Sequence, residues 1–401
     1  MSKVICSYEA CTGCSACSYI CNQYAIEMKQ NFEGFLYPEV NSNKCVNCNQ
    51  CVKNCPSNND LYPNNRKISY YLAWNKDLDI VYKSSSGGIF SALAENFIKK
   101  YDGVVFGAAY RDDWSVYHKM IDKIEQIDTL RKSKYLQSDV RDSYFQIKRF
   151  LKSGKKILFV GTPCQVQGII SCFYKDPNYK NLFIVDLICH AVQSPKVVLD
   201  SINYLERKYN SKCVELDFRS KSRGWSSACT TVIRFSNGKK IEQRLNDIIV
   251  GVAFSRNLSI RKSCEKCKYR VLNRNSDITL GDFWNVRNDK DMLQRYGDIG
   301  YSTMMINSLK GEELLNLFKD DIIIIEKNEE EVKYANGPLY RQISKNPLRE
   351  EFFEDYSKMD FKSFKNKWMK PNYKKLIIYE MKRYGKKFGL DKLKRKFGGL
   401  K

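Results

Sequence analysis

From residue 68 onward the chain alternates between two rhythms of apolar and polar positions. Short, densely apolar runs, ISYYLAWN from 68, GVVFGAAY from 103, KKILFVGTPC from 155 and NLFIVDLICH from 181, read as buried strands. Between them apolar residues recur every three or four positions. That rhythm predicts helices at SGGIFSALAENFIKKY, around residues 141–151, from Gln165, and at SPKVVLDSINYLERKYN, where Ser194 and Pro195 mark a helix start. Strands alternating with helices predict an α/β domain. Two later segments, 214–220 and 228–235, have hairpin character, so a mixed sheet is expected. Ahead of this domain, AIEMKQNFEGFLYPEV predicts two short strands about a Gly turn, the sheet of a small α+β unit. The expected organisation is a unit over residues 1–57, a polar, turn-rich linker over 58–67, the α/β domain over 68–355 and a tail over 356–401.

Composition supports a folded chain. Its 401 residues are 43% hydrophobic, with 21 Phe, 26 Tyr and 5 Trp, which is enough for a sizeable core and excludes wholesale disorder. No apolar run approaches the roughly 18 residues of a membrane-spanning helix, and the best, residues 181–192, is interrupted by Asp186. The first residues, MSKVICSYEACTGC, have no apolar signal core, so a cytoplasmic location is expected. The formal charge of +23 is concentrated at one end. Residues 361–401 hold fifteen Lys or Arg against two acids, Glu380 and Asp391. The body is therefore not the basic surface that would argue for nucleic-acid binding. The tail reads either as a basic amphipathic segment for an anionic membrane face or an acidic partner, or as a solvated, partly helical extension.

Cysteine changes the picture most. There are sixteen, against only two histidines, His118 and His190, so any metal site must be built from thiolates. Cys11, Cys14, Cys17 and Cys21 recur thirty-four positions later as Cys45, Cys48, Cys51 and Cys55. Both blocks read C-x2-C-x2-C-x3-C. Two-residue gaps let three thiolates wrap one cuboidal cluster from a single loop, while the fourth cysteine reaches across to the other cluster. Cys11, Cys14 and Cys17 with Cys55 would hold one four-iron cluster, and Cys45, Cys48 and Cys51 with Cys21 the second. A pair of zinc sites is the rival, but zinc has no need of a third cysteine at this tight step. The doubled spacing, Gly13 in the first loop and Pro56 after the last cysteine resemble a bacterial-type ferredoxin. Asn22 stands where the first block usually carries Pro.

Three further features carry candidate chemistry. Ser84-Ser85-Ser86-Gly87-Gly88 opens a helix, where free N–H groups favour a phosphate, although serines also cap helices without any ligand. Gly161-Thr162-Pro163-Cys164 lies at the carboxyl end of an apolar strand, where open α/β sheets place ligands. Cys164, Cys189, Cys264 and Cys267 fit a third cluster, and fit equally two buried thiols plus an unrelated pair. Cys6, Cys172, Cys213 and Cys229 read as small buried hydrophobes or idle thiols. His190 is a candidate proton donor, or a satisfied core histidine. The sequence carries neither a G-x-G-x-x-G after a strand nor a P-loop lysine pattern, which leaves Rossmann and Walker sites unsupported.

The words SSSGGIFSALA, YLQSDV, GTPCQVQGI, VDLICHAVQSP, FRSKSRGW, SCEKCKY, SDITLGDFW and NPLREEFF, in that order, resemble the coenzyme F420 hydrogenase/dehydrogenase beta-subunit family. The resemblance spans roughly residues 4–355. It implies FAD beside a four-iron cluster whose ligands are Cys164, Cys189, Cys264 and Cys267. It also implies a phosphate contact at Ser85, Ser86, Gly87 and Gly88, with Gly161 and Thr162 near the flavin ring; His190, from its place directly after Cys189, is the catalytic candidate. The family pattern C-H-G-V-P is replaced here by Cys189-His190-Ala191-Val192-Gln193. The ferredoxin-fused form is similar to members that accompany polysaccharide-synthesis enzymes. The implied function is an iron–sulfur flavoprotein oxidoreductase. It would take electrons from ferredoxin or another one-electron carrier and act on an organic substrate. The alternative is a non-catalytic electron-transfer subunit serving a partner enzyme.

Overall fold

The structure is a computed structural model and describes residues 3–59, 66–226, 229–245 and 248–369. Among these residues the strands are β1 (Ile26–Gln30), β2 (Leu36–Val40), β3 (Ser69–Asn75), β4 (Val104–Tyr110), β5 (Val116–Ile121), β6 (Ile157–Gly161), β7 (Leu182–Leu187), β8 (Cys213–Ser220), β9 (Thr230–Phe235), β10 (Lys240–Arg244), β11 (Ile278–Asp282), β12 (Ser302–Ile306) and β13 (Ile322–Lys327). They form a two-stranded hairpin, a three-stranded sheet and an eight-stranded sheet of order β13-β3-β12-β11-β7-β6-β4-β5.

In the large sheet β4, β6, β7 and β11 run parallel. β3 runs with them, since both β3 and β11 are antiparallel to β12. β5, β12 and β13 point the other way. The central strands β6, β7 and β12 are buried along almost their whole length because helices cover both faces. Helices Ile89–Tyr101 and Leu309–Phe318 bury Leu93, Phe97, Leu314 and Phe318 on one face. Helices Arg141–Lys152 and Pro163–Phe173 bury Ile147, Leu151, Ile169 and Phe173 on the other. The carboxyl ends of β3, β11, β7, β6 and β4 thus meet along one edge, the place where an open α/β sheet leaves room for ligands.

An N-terminal unit of short helices and a hairpin, followed by a mixed-sheet α/β domain, is the fold the hydrophobic rhythm predicts. Three details differ. The expected hairpin strands do not enter the main sheet: β8, β9 and β10 make a separate antiparallel sheet. The mixed character comes instead from β5, β12 and β13. The helix expected from Gln165 begins at Pro163, whose fixed φ suits the first turn, with the Gln165 side chain accepting from the Thr162 N–H. The tail expected from residue 356 is folded through Met369. Helix Phe361–Met369 buries Phe364 and Trp368, and Trp368 Nε1 donates to Asp355 (2.9 Å). The remainder of the tail lies outside the described residues, as does most of the expected linker.

The small unit is fastened to the domain. Arg349 sends two N–H groups to both carboxylate oxygens of Glu33, at 2.8 and 2.6 Å, and further N–H groups to the Ile260 carbonyl. Both side chains of this pair are almost fully buried. Tyr144 donates to the Cys14 carbonyl (2.7 Å), and Cys14 and Ala16 pack into the core beneath helix Pro163–Phe173.

Candidate functional site

The cysteine repeat is a repeat of backbone shape. Gly13 and Ser15 have φ of 67° and 65°, and their counterparts Asn47 and Asn49 have 54° and 62°. A left-handed residue on each side of Cys14, and again of Cys48, turns successive N–H groups inward. Concavities of this kind hold anions and iron–sulfur centres. The first loop and Cys55 close on a pocket of about 300 Å³ lined by Cys6, Cys11, Cys14, Cys17 and Cys55. Cys6, expected as a buried or idle thiol, is partly buried against the apolar cluster around Cys55 and also lines the pocket. Its closeness holds the Cys11 and Cys55 thiols below their ordinary range. Nothing in the spacing marks Cys6, which precedes the repeat. Of the other four thiols, Cys21, Cys45 and Cys51 gather in the apolar cluster beside Cys55, whereas Cys48 is exposed.

A second pocket, of about 430 Å³, opens at the carboxyl edge of the large sheet. Cys164 reaches it from the first turn of helix Pro163–Phe173 after β6, Cys189 from just beyond β7, and Cys264 and Cys267 from the segment after the short helix Lys262–Glu265 begins. Burial, reinforced by the neighbouring thiols, pushes Cys164 up to about 12 and Cys189 well above the thiol range; burial likewise pushes Cys264 up to about 11. A bound cation would reverse that bias, because metal binding expels the thiol protons. Among the described residues no three His, Cys, Asp or Glu side chains close on one point as ligands of a single ion would. Thiols around a cuboidal four-iron cluster stand further apart than that.

The lining suits an anionic group. The Tyr269 hydroxyl and Arg270 Nε are buried without a hydrogen-bond partner, and both residues line this pocket. Arg274, also in the lining, is paired with Asp186 (3.2 Å). Arg261 and Thr12 complete the wall nearest the first pocket. The donor chemistry of both thiol sets suits iron–sulfur ligation, and in the second pocket the buried Tyr269 and Arg270 donors suit an anionic group.

His190 lines the second pocket, with Nε2 donating to Asn257 Oδ1 (2.9 Å) and the ring edge-on to Phe254. Ala191 does not adopt positive φ, so the altered word is accommodated without a glycine turn. Gly161 and Thr162 are not in its lining, which takes up the chain at the next residue, Pro163, and Thr162 Oγ1 lies 3.3 Å from Cys164 Sγ. Below them His118 is fully internal: Nε2 donates to the Val160 carbonyl and Nδ1 accepts from Ser138, each at 3.0 Å. Burial lowers its pKa to about 4.

The Ser85–Gly88 loop lies elsewhere on the same edge, against the start of β12. Its polar groups are largely engaged by the fold. Ser86 Oγ donates to the Tyr301 carbonyl (2.7 Å), Gly87 N–H donates to Ser302 Oγ (2.9 Å), and Ser85 Oγ accepts from Ser133 N–H (2.9 Å). A Cβ on Gly87 would stand 2.6 Å from the Ala73 carbonyl oxygen. Beside the loop is a set of basic and aromatic residues that carried no assignment from sequence. Lys221 Nζ donates to the Ser86 carbonyl (2.6 Å), Arg219 pairs with Asp282 (3.0 Å), and Trp225 stacks on Trp284 at 4.9 Å. The signal was available: the words FRSKSRGW and GDFW meet here.

Residues 10–59 match the 4Fe-4S dicluster domain. Residues 70–143 match the N-terminal part, and residues 154–332 the C-terminal part, of the coenzyme F420 hydrogenase/dehydrogenase beta subunit. With the fold, these matches define an iron–sulfur protein of oxidoreductase type. The two beta-subunit segments occur in order and together span more than half of the chain, which therefore belongs to the coenzyme F420 hydrogenase/dehydrogenase beta-subunit family. A chain of the F420-reducing NiFe hydrogenase complex from Methanosarcina barkeri is similar at 16% identity, over 73% of this chain and 93% of that one, with a TM-score of 0.47. No curated protein matches. Among the described residues no helix is long and apolar enough to cross a membrane.

Proposed function

We propose that the chain is an iron–sulfur flavoprotein oxidoreductase that passes electrons between three four-iron clusters and FAD and acts on an organic substrate. The observation that carries the reading is the meeting of Cys164, Cys189, Cys264 and Cys267, from three separate segments, in one buried pocket. Clusters carry electrons singly, and a flavin accepts one or two, so the pair bridges one-electron and hydride chemistry. In this proposal Cys11, Cys14, Cys17 and Cys55 hold one cluster, Cys21, Cys45, Cys48 and Cys51 the second, and the four sheet-edge cysteines the third. Exposed Cys48 marks the side facing a one-electron carrier such as ferredoxin. FAD is assigned to the Ser85–Gly88 loop with its basic neighbours Lys221 and Arg219, and Gly161 and Thr162 border the space toward the third cluster. His190, fixed by Asn257, holds a proton at Nε2 beside that space.

A test is anaerobic purification of the full chain, acid release of flavin and titration with reduced ferredoxin. FAD in near-equal amount, reduced in wild type but not in Cys264→Ser, is expected. Absence of releasable flavin overturns the FAD assignment. The family's designation as a beta subunit supports the second reading, an electron-transfer subunit of a larger assembly; reduction of dyes and flavins but of no metabolite would favour it. The setting we propose is polysaccharide biosynthesis, with residues 361–401 contacting an anionic membrane face. Unchanged sedimentation with anionic vesicles after deletion of 370–401 removes that last element.

A further inference from the structure

Arg261 is 1% exposed, and among the described residues no carboxylate pairs with it. A buried, uncompensated guanidinium is costly, so its counter-charge must come from something else at the site. Its surroundings identify that charge. Nε donates to the Cys11 carbonyl (2.8 Å), Nη2 donates to the Leu36 carbonyl (2.9 Å) and lies 3.6 Å from Cys11 Sγ, and Nη1 donates to Gln137 Oε1 (2.9 Å). The plane covers the Tyr37 ring at 4.2 Å. The same side chain lines the pocket of Cys164, Cys189, Cys264 and Cys267. A cation in contact with one thiol set also forms the wall of the other.

Two more observations place the sets side by side. Thr12 lines both pockets. A Cβ on Gly168 would stand 3.2 Å from Cys14 Sγ, and Gly168 is one turn beyond Cys164 on the same helix, a rise of about 6 Å. The approach of Arg261 is itself prepared by the repeat, since a Cβ on Gly13 would stand 2.8 Å from Nη1. None of these contacts involves Cys45, Cys48 or Cys51.

We propose that Arg261 is a positioning residue for electron transfer. It is a shared counter-cation that raises the reduction potentials of the Cys11-side and Cys164-side clusters together and makes the Cys11-side cluster the one that exchanges electrons with the third. This rests on the cluster assignment above. In the step one electron leaves the Cys11-side cluster, which is oxidised, and enters the Cys164-side cluster, which is reduced; no bond breaks and no proton moves. Charge and N–H donation to cluster sulfur are recognised levers on potential.

The experiment is an EPR-monitored redox titration of the anaerobic full chain, with dithionite as reductant, for wild type, Arg261→Gln and Gln137→Glu. The second variant leaves Arg261 in place and sets a carboxylate against its Nη1. Each iron-replete variant should shift two of the three cluster potentials to more negative values by about 59 mV or more, a tenfold change in a one-electron equilibrium, and leave the third unchanged. Unshifted potentials in an iron-replete variant, a shift confined to one cluster, or an equal shift of all three overturns the proposal. If Arg261→Gln assembles no iron, Gln137→Glu decides. A wild-type chain with only two clusters would contradict the cluster assignment instead, so the two failures are distinguishable.

Discussion

The two thiol pockets are built in opposite ways. The ferredoxin pocket is mostly local: a loop of seven residues supplies three thiols, with one left-handed residue on each side of Cys14 to shape it, and Cys6 and Cys55 close it. The sheet-edge pocket is assembled at long range. Its four thiols come from positions 164, 189, 264 and 267, brought together because β6 and β7 end at the same edge and the segment after β10 returns to it. The second depends on the fold throughout, and the first leans on the domain at particular contacts, Tyr144 to the Cys14 carbonyl and Arg261 to Cys11. Arg349 and Glu33, with Arg261, join them.

The largest effect expected from breaking this arrangement is on the joint itself. Arg349→Ala leaves Glu33 as an unpaired buried carboxylate and should cost about 3–5 kcal/mol in denaturant unfolding. A cost below about 1 kcal/mol would mean the two regions are not coupled through it. A second comparison concerns acid. His118 is neutral in the fold with a pKa near 4, against an ordinary 6.5. Below pH 6.5 the unfolded chain takes up a proton that the folded chain refuses. Stability should therefore fall by up to about 1.4 kcal/mol per pH unit from 6.5 down to about 4, and this term is absent above that window. His118→Gln, unfolded beside wild type, should flatten that part of the profile; parallel profiles would contradict it.

Glycines sharpen the contrast at smaller scale. Gly13 has positive φ and no room for a Cβ, with Arg261, Gln137 and the Leu36 carbonyl all within about 3 Å, so Gly13→Ala should cost about 2 kcal/mol or more and loosen the Cys11-side iron. Gly154 has positive φ but open space, and Gly154→Ala should cost only about 1 kcal/mol with iron unchanged. Thermal unfolding with iron assay separates them. Equal costs would remove the claim that Arg261 crowds the ferredoxin loop.

What was legible in the sequence follows the same division. The repeat, the β1–β2 hairpin and the alternation of strands and helices are local patterns, and each has its counterpart in the structure. That Cys164 and Cys189 follow successive apolar strands was legible, but that reading left a shared pocket and two separate buried thiols equally open; the structure lines one pocket with both. Other features depend on packing between distant segments. Cys6 has no spacing to mark it and acquires its place only where Cys11 and Cys55 close around it. β8 and β9 read as hairpin strands correctly, yet their own sequence does not say which sheet they join. Residues 361–369 look like a charged tail because three of the nine are Lys and none is acidic. Two buried aromatics, Phe364 and Trp368, with Phe361 and Met369 beside them, pack the segment onto the domain. Arg261 sits in a polar, Cys-bearing stretch, and only three-dimensional burial reveals that no carboxylate among the described residues pairs with it.

The measurement that reaches the central claim most directly is iron per chain in anaerobically purified wild type beside Cys264→Ser. The account predicts about twelve irons in wild type and about eight in the variant, with the ferredoxin pair intact. About eight in both chains would contradict it, leaving the sheet-edge pocket with four thiols and no cluster.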